Sequence, residues 1–218
     1  MVYEGTILNK RYLVEKLLSR GGIGEVYLGR HTVIGKKVAI KVLNPEWEKR
    51  HDIVVRFYQE AQATSLIGHR NIVNILDAGL LDDVRPYLVM EYLEGHSLAE
   101  MTAQKKIVDT AATCGILEQI LLGLDATHTK GIVHRDIKPD NIFVGYDDDT
   151  YGSITIKILD FGIAKFPGIP KEMKFTLAGL AIGTPPYMSP EQVHGSSEVD
   201  GRSDLFSAGV ILYELLTG

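Results

Sequence analysis

The sequence predicts an α+β fold in which an antiparallel sheet with one helix beside it is followed by a mainly helical part. Three observations predict it. Strand-like runs recur at residues 11–18, 25–29, 37–43, 72–78 and 86–92. Past residue 97 the apolar spacing turns helical, with Ile116, Leu117, Ile120, Leu121 and Leu124 on one face over 109–130. A last helix is expected over 204–217, carrying Leu205, Phe206, Val210, Ile211, Leu212, Leu215 and Leu216. Between the two parts, Glu91-Tyr92-Leu93-Glu94-Gly95-His96-Ser97 is a polar, glycine-containing link and reads as a hinge. The 218 residues suffice for one large domain or two small lobes, and the expected division is 1–92 and 93–218.

In the first run Tyr12, Val14 and Leu17 alternate with polar residues. Ser19-Arg20-Gly21-Gly22-Ile23-Gly24 follows, and the strand resumes at Glu25. A glycine-rich turn between antiparallel strands lets backbone approach a ligand closely, although by itself it is equally a tight turn. Lys41 stands among Val38, Ala39, Ile40 and Val42, where a cation is expensive to bury unless paired; an outward-facing lysine on an edge strand is the alternative. A partner exists in Glu60, on a helix expected over 46–66 with Ile53, Val54, Phe57, Ala61 and Thr64 facing inward. Gly68-His69-Arg70-Asn71 breaks that helix, and two further strands bring the sheet to about five.

In the second part Ser97 caps a short helix to about residue 104, and Gly131 ends the long one. The densest chemistry follows in His134-Arg135-Asp136-Ile137-Lys138-Pro139-Asp140-Asn141. A short strand at 142–144 and its return at 154–159 flank an acidic tip at 147–152, which lacks calcium-loop spacing and reads as a solvated hairpin. The return strand delivers Asp160-Phe161-Gly162. Two carboxylates, Asp136 and Asp160, with the amide of Asn141, suit phosphate and magnesium. Residues 161–190 form a long segment of little periodicity, the pattern of a functional lid, closed by Gly183-Thr184-Pro185-Pro186-Tyr187-Met188-Ser189-Pro190-Glu191.

Composition narrows the partners. Residues 1–90 carry 13 Lys and Arg against 10 Asp and Glu, whereas residues 91–218 carry 10 against 18. The acidic second part argues against nucleic acid and is compatible with basic peptides. Cys114 is the single cysteine, so no internal disulfide forms, and a reducing compartment fits. No apolar run approaches the roughly 20 residues of a membrane span, and the N-terminus lacks signal-peptide character, so a cytoplasmic location is expected.

Together these residues resemble the Hanks-type, eukaryotic-like Ser/Thr protein kinases, with wording nearest the bacterial branch. The likeness runs from about Tyr12 to Gly218 and implies a bilobal protein-kinase fold using ATP and Mg2+. By resemblance, Ser19, Arg20, Gly21, Gly22, Ile23, Gly24 and Val26 belong to the loop over the ATP phosphates, with Ser19 replacing the family's first glycine. Lys41 is similar to the lysine on the α- and β-phosphates, with Glu60 its partner. Met90 takes the gatekeeper place, Glu91 and Leu93 offer backbone groups to adenine, and Leu18, Val26, Ala39, Phe143 and Leu159 wall its pocket. Asp136 is implied as acceptor of the substrate hydroxyl proton and Lys138 as the clamp on the γ-phosphate. Asn141 and Asp160 are implied as magnesium ligands, and Thr184 as a support for Asp136 and Lys138. Arg135 implies control by phosphorylation of the lid, with Thr176 the candidate site and self-association a route to it. His134 is implied to be a packing residue beneath Phe161.

Two departures from the family stand out. The stretch from Asn141 to Asp160 is longer than usual, and the helices that follow the Asp204 helix in the family, one with an arginine for Glu191, do not appear before Gly218. The expectation is a C-lobe truncated after that helix, of low stability and with an apolar face uncovered. The rivals to an active Ser/Thr kinase are a nucleotide-binding pseudokinase scaffold, an inactive kinase fragment and a small-molecule phosphotransferase of related fold.

Overall fold

The computed structural model describes residues 4–103, 107–146, 154–161, 185–195 and 199–218. Two compact units divide the chain: Met1–Ser65 with Asn74–Leu93, and Leu66–Val73 with Glu94–Gly218.

The first unit is built on a six-stranded antiparallel sheet. Its strands are β1 (Ile7–Leu8), β2 (Tyr12–Arg20), β3 (Gly24–His31), β4 (Lys37–Leu43), β5 (Ile75–Leu80) and β6 (Pro86–Glu91), in spatial order β1-β2-β3-β4-β6-β5. The expected five strands gain one, the two-residue β1, which pairs Ile7 with Leu13 and Leu8 with Tyr12. Period two assigns the faces. Val38, Ile40 and Val42 of β4 join Val14, Tyr27, Tyr87 and Val89 in one buried cluster. The other face packs on helix α1 (His51–Ile67), where Ile53, Phe57 and Ala61 meet Leu43 and Leu88. Those helix positions recur every four residues, the spacing of a core-facing stripe. The helix expected over 46–66 starts late because Asn44, Pro45 and Trp47 first make a separate 3-10 turn, Pro45–Trp47.

Residues 72–74 do not belong to the strand expected over 72–78. Ile72 bridges Ile158, and the Val73 N–H donates to the Ile158 carbonyl at 3.0 Å, so these two residues are held within the second unit, while Asn74 pairs with Glu91 in the first.

The second unit contains β7 (Gly95–Ser97), β8 (Ile142–Tyr146) and β9 (Ile154–Ile158), an antiparallel sheet in that order. Among the described residues its helices are α2 (Leu98–Thr102), α3 (Thr110–Thr129), α4 (Pro190–Val193) and α5 (Gly201–Thr217). Ser97 and Glu100 form a reciprocal capping box on α2. Asp109 caps α3 through the Ala111 and Ala112 N–H groups, and Gly131, at φ 72°, follows its end.

One expected helix face needs correction. On α3 the buried stripe is Thr113, Ile116, Ile120, Gly123, Leu124 and Thr127, while Leu121 is exposed. The stripe turns toward Gly123 because β9 and Asn71 approach there: a Cβ on Gly123 would lie 2.9 Å from Ile158 Cδ1 and 3.2 Å from the Asn71 carbonyl. On α5 the buried face is Ser203, Asp204, Ser207, Ala208, Ile211 and Leu215, and Leu205, Phe206 and Leu216 are exposed. That face is polar at its N-terminal end because it supports a loop rich in backbone donors.

Candidate active site

In the first unit, residues directly opposite across neighbouring strands share a face. Lys41 stands opposite Val26 on β3 and Leu88 on β6, and Ala39 stands opposite Met90. Lys41 therefore points to the α1 face, and its Nζ lies 3.3 Å from Glu60 Oε1. Both side chains are largely enclosed, 12% and 20% exposed. β4 is interior to the sheet, which removes the edge-strand alternative for Lys41. Glu91 Oε1 accepts the Asn74 N–H at 2.7 Å, and its own N–H donates to the Asn74 carbonyl.

The glycine-rich turn joins β2 to β3, with Ser19 opposite Val26 and Arg20 opposite Glu25. The Gly21 N–H donates to the Gly24 carbonyl at 2.9 Å. Gly24 is required by space: a Cβ there would stand 2.5 Å from the Val42 carbonyl oxygen. Leu18 and Ile23 are exposed; Val26, Ala39, Met90 and Leu93 are half-buried, as is Phe143 of the second unit.

In the second unit, residues 132–138 have no regular structure, so their backbone groups must be satisfied individually. Asp204, 1% exposed on α5, satisfies two of them. Its Oδ2 accepts the His134 N–H and its Oδ1 the Arg135 N–H, both at 2.8 Å, and His128 Nε2 lies 2.8 Å from Oδ2. The Arg135 carbonyl accepts from Gln192 Nε2 of α4 at 2.9 Å. Arg135 itself sits at φ 66° and Asp160 at φ 37°, a left-handed conformation that costs a non-glycine residue about 1–3 kcal/mol.

His134 is fully enclosed. Its ring lies 4.6 Å from that of Phe161, centroid to centroid. Nε2 meets the Leu159 carbonyl at 2.9 Å and Nδ1 accepts the Asp136 N–H at 3.3 Å, which assigns a neutral Nε2–H imidazole. Burial lowers its pKa, against the opposing pull of Asp204. This ring positions the loop and is not a base. Burial also lowers the Arg135 pKa, again opposed by Asp204.

Three predicted side chains converge on this loop. Lys138 Nζ lies 3.2 Å from Asp136 Oδ2. Asn141 Nδ2 donates to the Asp136 carbonyl at 2.8 Å and to Asp136 Oδ2 at 3.1 Å, with the Asp160 carbonyl at 3.5 Å. The 3-10 turn Pro139–Asn141 sets the spacing that brings Asn141 back onto Asp136. Beside them is a small, open recess lined among others by Asp136, Lys138, Tyr187, Met188, Gln192 and Ser207. Ser207 donates to the Tyr187 carbonyl at 2.7 Å, and Tyr187 Oη–H donates to Glu214 Oε2. Burial, then this bond, raises the Tyr187 pKa.

Glu191, expected to lack a partner, accepts the Ser203 hydroxyl, and that bond lowers its pKa. Thr176, Thr184, Gly162 and the acidic tip at 147–152 lie outside the described residues. Sequence reasoning missed the side-chain roles of Asp204, Gln192 and His128. An acid inside an otherwise apolar helix was the available signal for Asp204, because a buried carboxylate requires donors.

Comparison with known proteins agrees with this geometry. The family described as "Protein kinase domain" matches residues 12–218. The serine/threonine-protein kinase Pkn1 of Myxococcus xanthus is 47% identical over 201 residues, covering 92% of this chain and 28% of that protein. PknL of Mycobacterium tuberculosis, also a serine/threonine-protein kinase, is 37% identical over 215 residues, covering 99% of this chain and 51% of that one. This chain thus spans between about a quarter and half of the curated relatives it matches. Among solved structures, the PknI kinase domain of Mycobacterium tuberculosis superposes with a TM-score of 0.74 at 25% identity, over 99% of this chain and 77% of that one. With the fold, the loop and the family match in agreement, this chain belongs to the protein kinase family.

Proposed function

We propose that the chain transfers the γ-phosphoryl group of ATP to Ser and Thr hydroxyls of protein substrates. The observation that carries this reading is the contact of Asp136 with both Lys138 and Asn141 on the loop that Asp204 holds. In the proposed step the substrate hydroxyl oxygen bonds to the γ-phosphorus as the bond to the ADP oxygen breaks, and the hydroxyl proton passes to the Asp136 carboxylate. Asn141 and Lys138 hold that carboxylate in one orientation, and the Lys138 ammonium meets the charge that develops on the transferring oxygens. Selectivity for Ser and Thr is supported by Lys138-Pro139-Asp140-Asn141, by Gly183-Thr184 and by the named relatives.

The first unit's share of nucleotide binding would be the loop from Ser19 to Val26, Lys41 held by Glu60, and Leu18, Ala39, Met90, Glu91 and Leu93. The second unit's share would be Phe143, Lys138, Asn141 and Asp160. The donor set suits magnesium. Asn141 commits its Nδ2 to Asp136 and Asp160 oxygens, which directs Oδ1, the atom a hard cation takes, away from them. Among the described residues no cluster of three or more His, Cys, Asp or Glu side chains is arranged for a metal. Magnesium, when bound there, would neutralise charge on the phosphate oxygens. Among the described residues no helix is long and apolar enough to cross a membrane.

The test is transfer of label from γ-labelled ATP to a generic basic protein, chosen to complement the acidic second part. The wild-type chain should label it and Asp136→Asn should not. Equal labelling by both would overturn the assignment.

A further inference from the structure

The tip of the glycine-rich loop is tied down by groups that the proposed chemistry does not use. Asn44 Nδ2 donates to the Gly21 carbonyl at 3.0 Å and to the Gly22 carbonyl at 3.2 Å. The Asn44 backbone N–H donates to the Ile23 carbonyl at 2.9 Å. The Trp47 indole Nε1–H donates to the Gly22 carbonyl at 2.8 Å. Three successive carbonyl oxygens are therefore held from one side by the short stretch that follows β4. That stretch is itself anchored, since Trp47 packs against the cluster of Leu43, Ile53, Phe57, Ala61 and Leu88.

The consequence follows from peptide geometry. A trans peptide is planar, with its C=O and N–H pointing in opposite directions. Turning the Gly21 and Gly22 carbonyls toward Asn44 and Trp47 turns the Gly22 and Ile23 N–H groups to the other face of the loop. Successive N–H groups presented together attract anionic oxygens. Gly21, Gly22 and Ile23 are all exposed, and glycine backbone has the most freedom to lose on ordering, so an untethered tip would have to be ordered by the ligand itself.

We infer that Asn44 and Trp47 form a latch that pre-orders the glycine-rich loop for the phosphate groups of the nucleotide. They are positioning residues, and the inference rests on the ATP-dependent reading above. Trp47 is the single tryptophan of the chain, and Trp47→Phe removes the donor while keeping an aromatic ring in the cluster.

The experiment compares wild-type chain, Trp47→Phe, Asn44→Ala and the double variant by calorimetric titration with magnesium–ATP and, separately, with adenosine, alongside thermal melting and steady-state kinetics. Each variant should bind ATP about five-fold more weakly per hydrogen bond lost, with adenosine affinity and melting unchanged. KM for ATP should rise while kcat at saturating ATP holds, the pattern of lost ground-state binding. Unchanged ATP affinity in the double variant overturns the latch. Equal weakening of ATP and adenosine also overturns it, because damage to the sheet would do that. A wild-type chain that binds neither ligand removes the nucleotide reading and the latch with it, a failure visible before any substitution is made.

Discussion

Two lysine–carboxylate pairs of nearly equal length occur in the two units, Lys41–Glu60 at 3.3 Å and Lys138–Asp136 at 3.2 Å, and they are held in opposite ways. Lys41 is placed by regular structure. Strand period two sends it to the helix-bearing face, and the register of β3, β4 and β6 fixes its height. Lys138 and Asp136 lie on irregular backbone, whose conformation depends on individual polar contacts from Asp204, Gln192, Asn141 and His134. A pair set by a ladder of many equivalent bonds tolerates the loss of any one. A pair set by a few buried side chains does not.

The comparison can be broken first at Asp204. Asp204→Ala leaves two buried loop N–H groups and His128 without their acceptor, and should cost about 3–5 kcal/mol in urea unfolding together with nearly all phosphotransfer. A loss below about 1 kcal/mol would mean that the loop holds itself. Glu60→Gln should act differently. The Lys41 pair is largely enclosed, but glutamine keeps the size and an acceptor oxygen for Lys41, so the stability loss should be about 1–2 kcal/mol, smaller than that of Asp204→Ala. kcat/KM for ATP should nevertheless fall about ten-fold as the charge-assisted contact to Lys41 is lost. A large loss of stability with intact kcat/KM would invert the contrast.

Acid sharpens it further. Burial holds the His134 pKa below its ordinary value of 6.5, so the unfolded chain takes up a proton that the folded loop refuses. The stability contributed by the neutral ring is complete above about pH 6.5 and declines as pH falls toward the depressed folded value, by at most about 1.4 kcal/mol per pH unit for one proton. Urea midpoints between pH 7.5 and 5.5, read with the imidazole NMR signal of His134, check this. The ring should titrate below the range of a free imidazole while the midpoint falls.

The same contrast explains what was legible in the sequence. The first unit was readable because Lys41, Glu60 and the apolar stripe Ile53-Phe57-Ala61 follow strand and helix periods. The glycine turn was readable because Gly24 admits no side chain. The identities of Asp136, Lys138 and Asn141 stood out as a dense run of charged and amide groups, yet nothing periodic says what supports them. Asp204 and Gln192 lie 57 to 70 residues in sequence from the loop positions they hold, and His128 lies 76 residues from Asp204, so only folding brings them together. On α5 apolar content did not say which side is buried: Leu205 and Phe206 face outward while Ser203, Asp204 and Ser207 are buried.

The central claim, that Asp136 in its Lys138–Asn141 setting serves a Ser/Thr hydroxyl, is tested most directly with three basic peptides that differ only in carrying Ser, Thr or Tyr as acceptor. Rates of phosphopeptide formation are measured for wild-type chain and Asp136→Asn. The account predicts product on the Ser and Thr peptides, little on Tyr, and a fall of about 10²–10⁴-fold in the variant. Equal rates for wild type and Asp136→Asn, or transfer to Tyr alone, would contradict it.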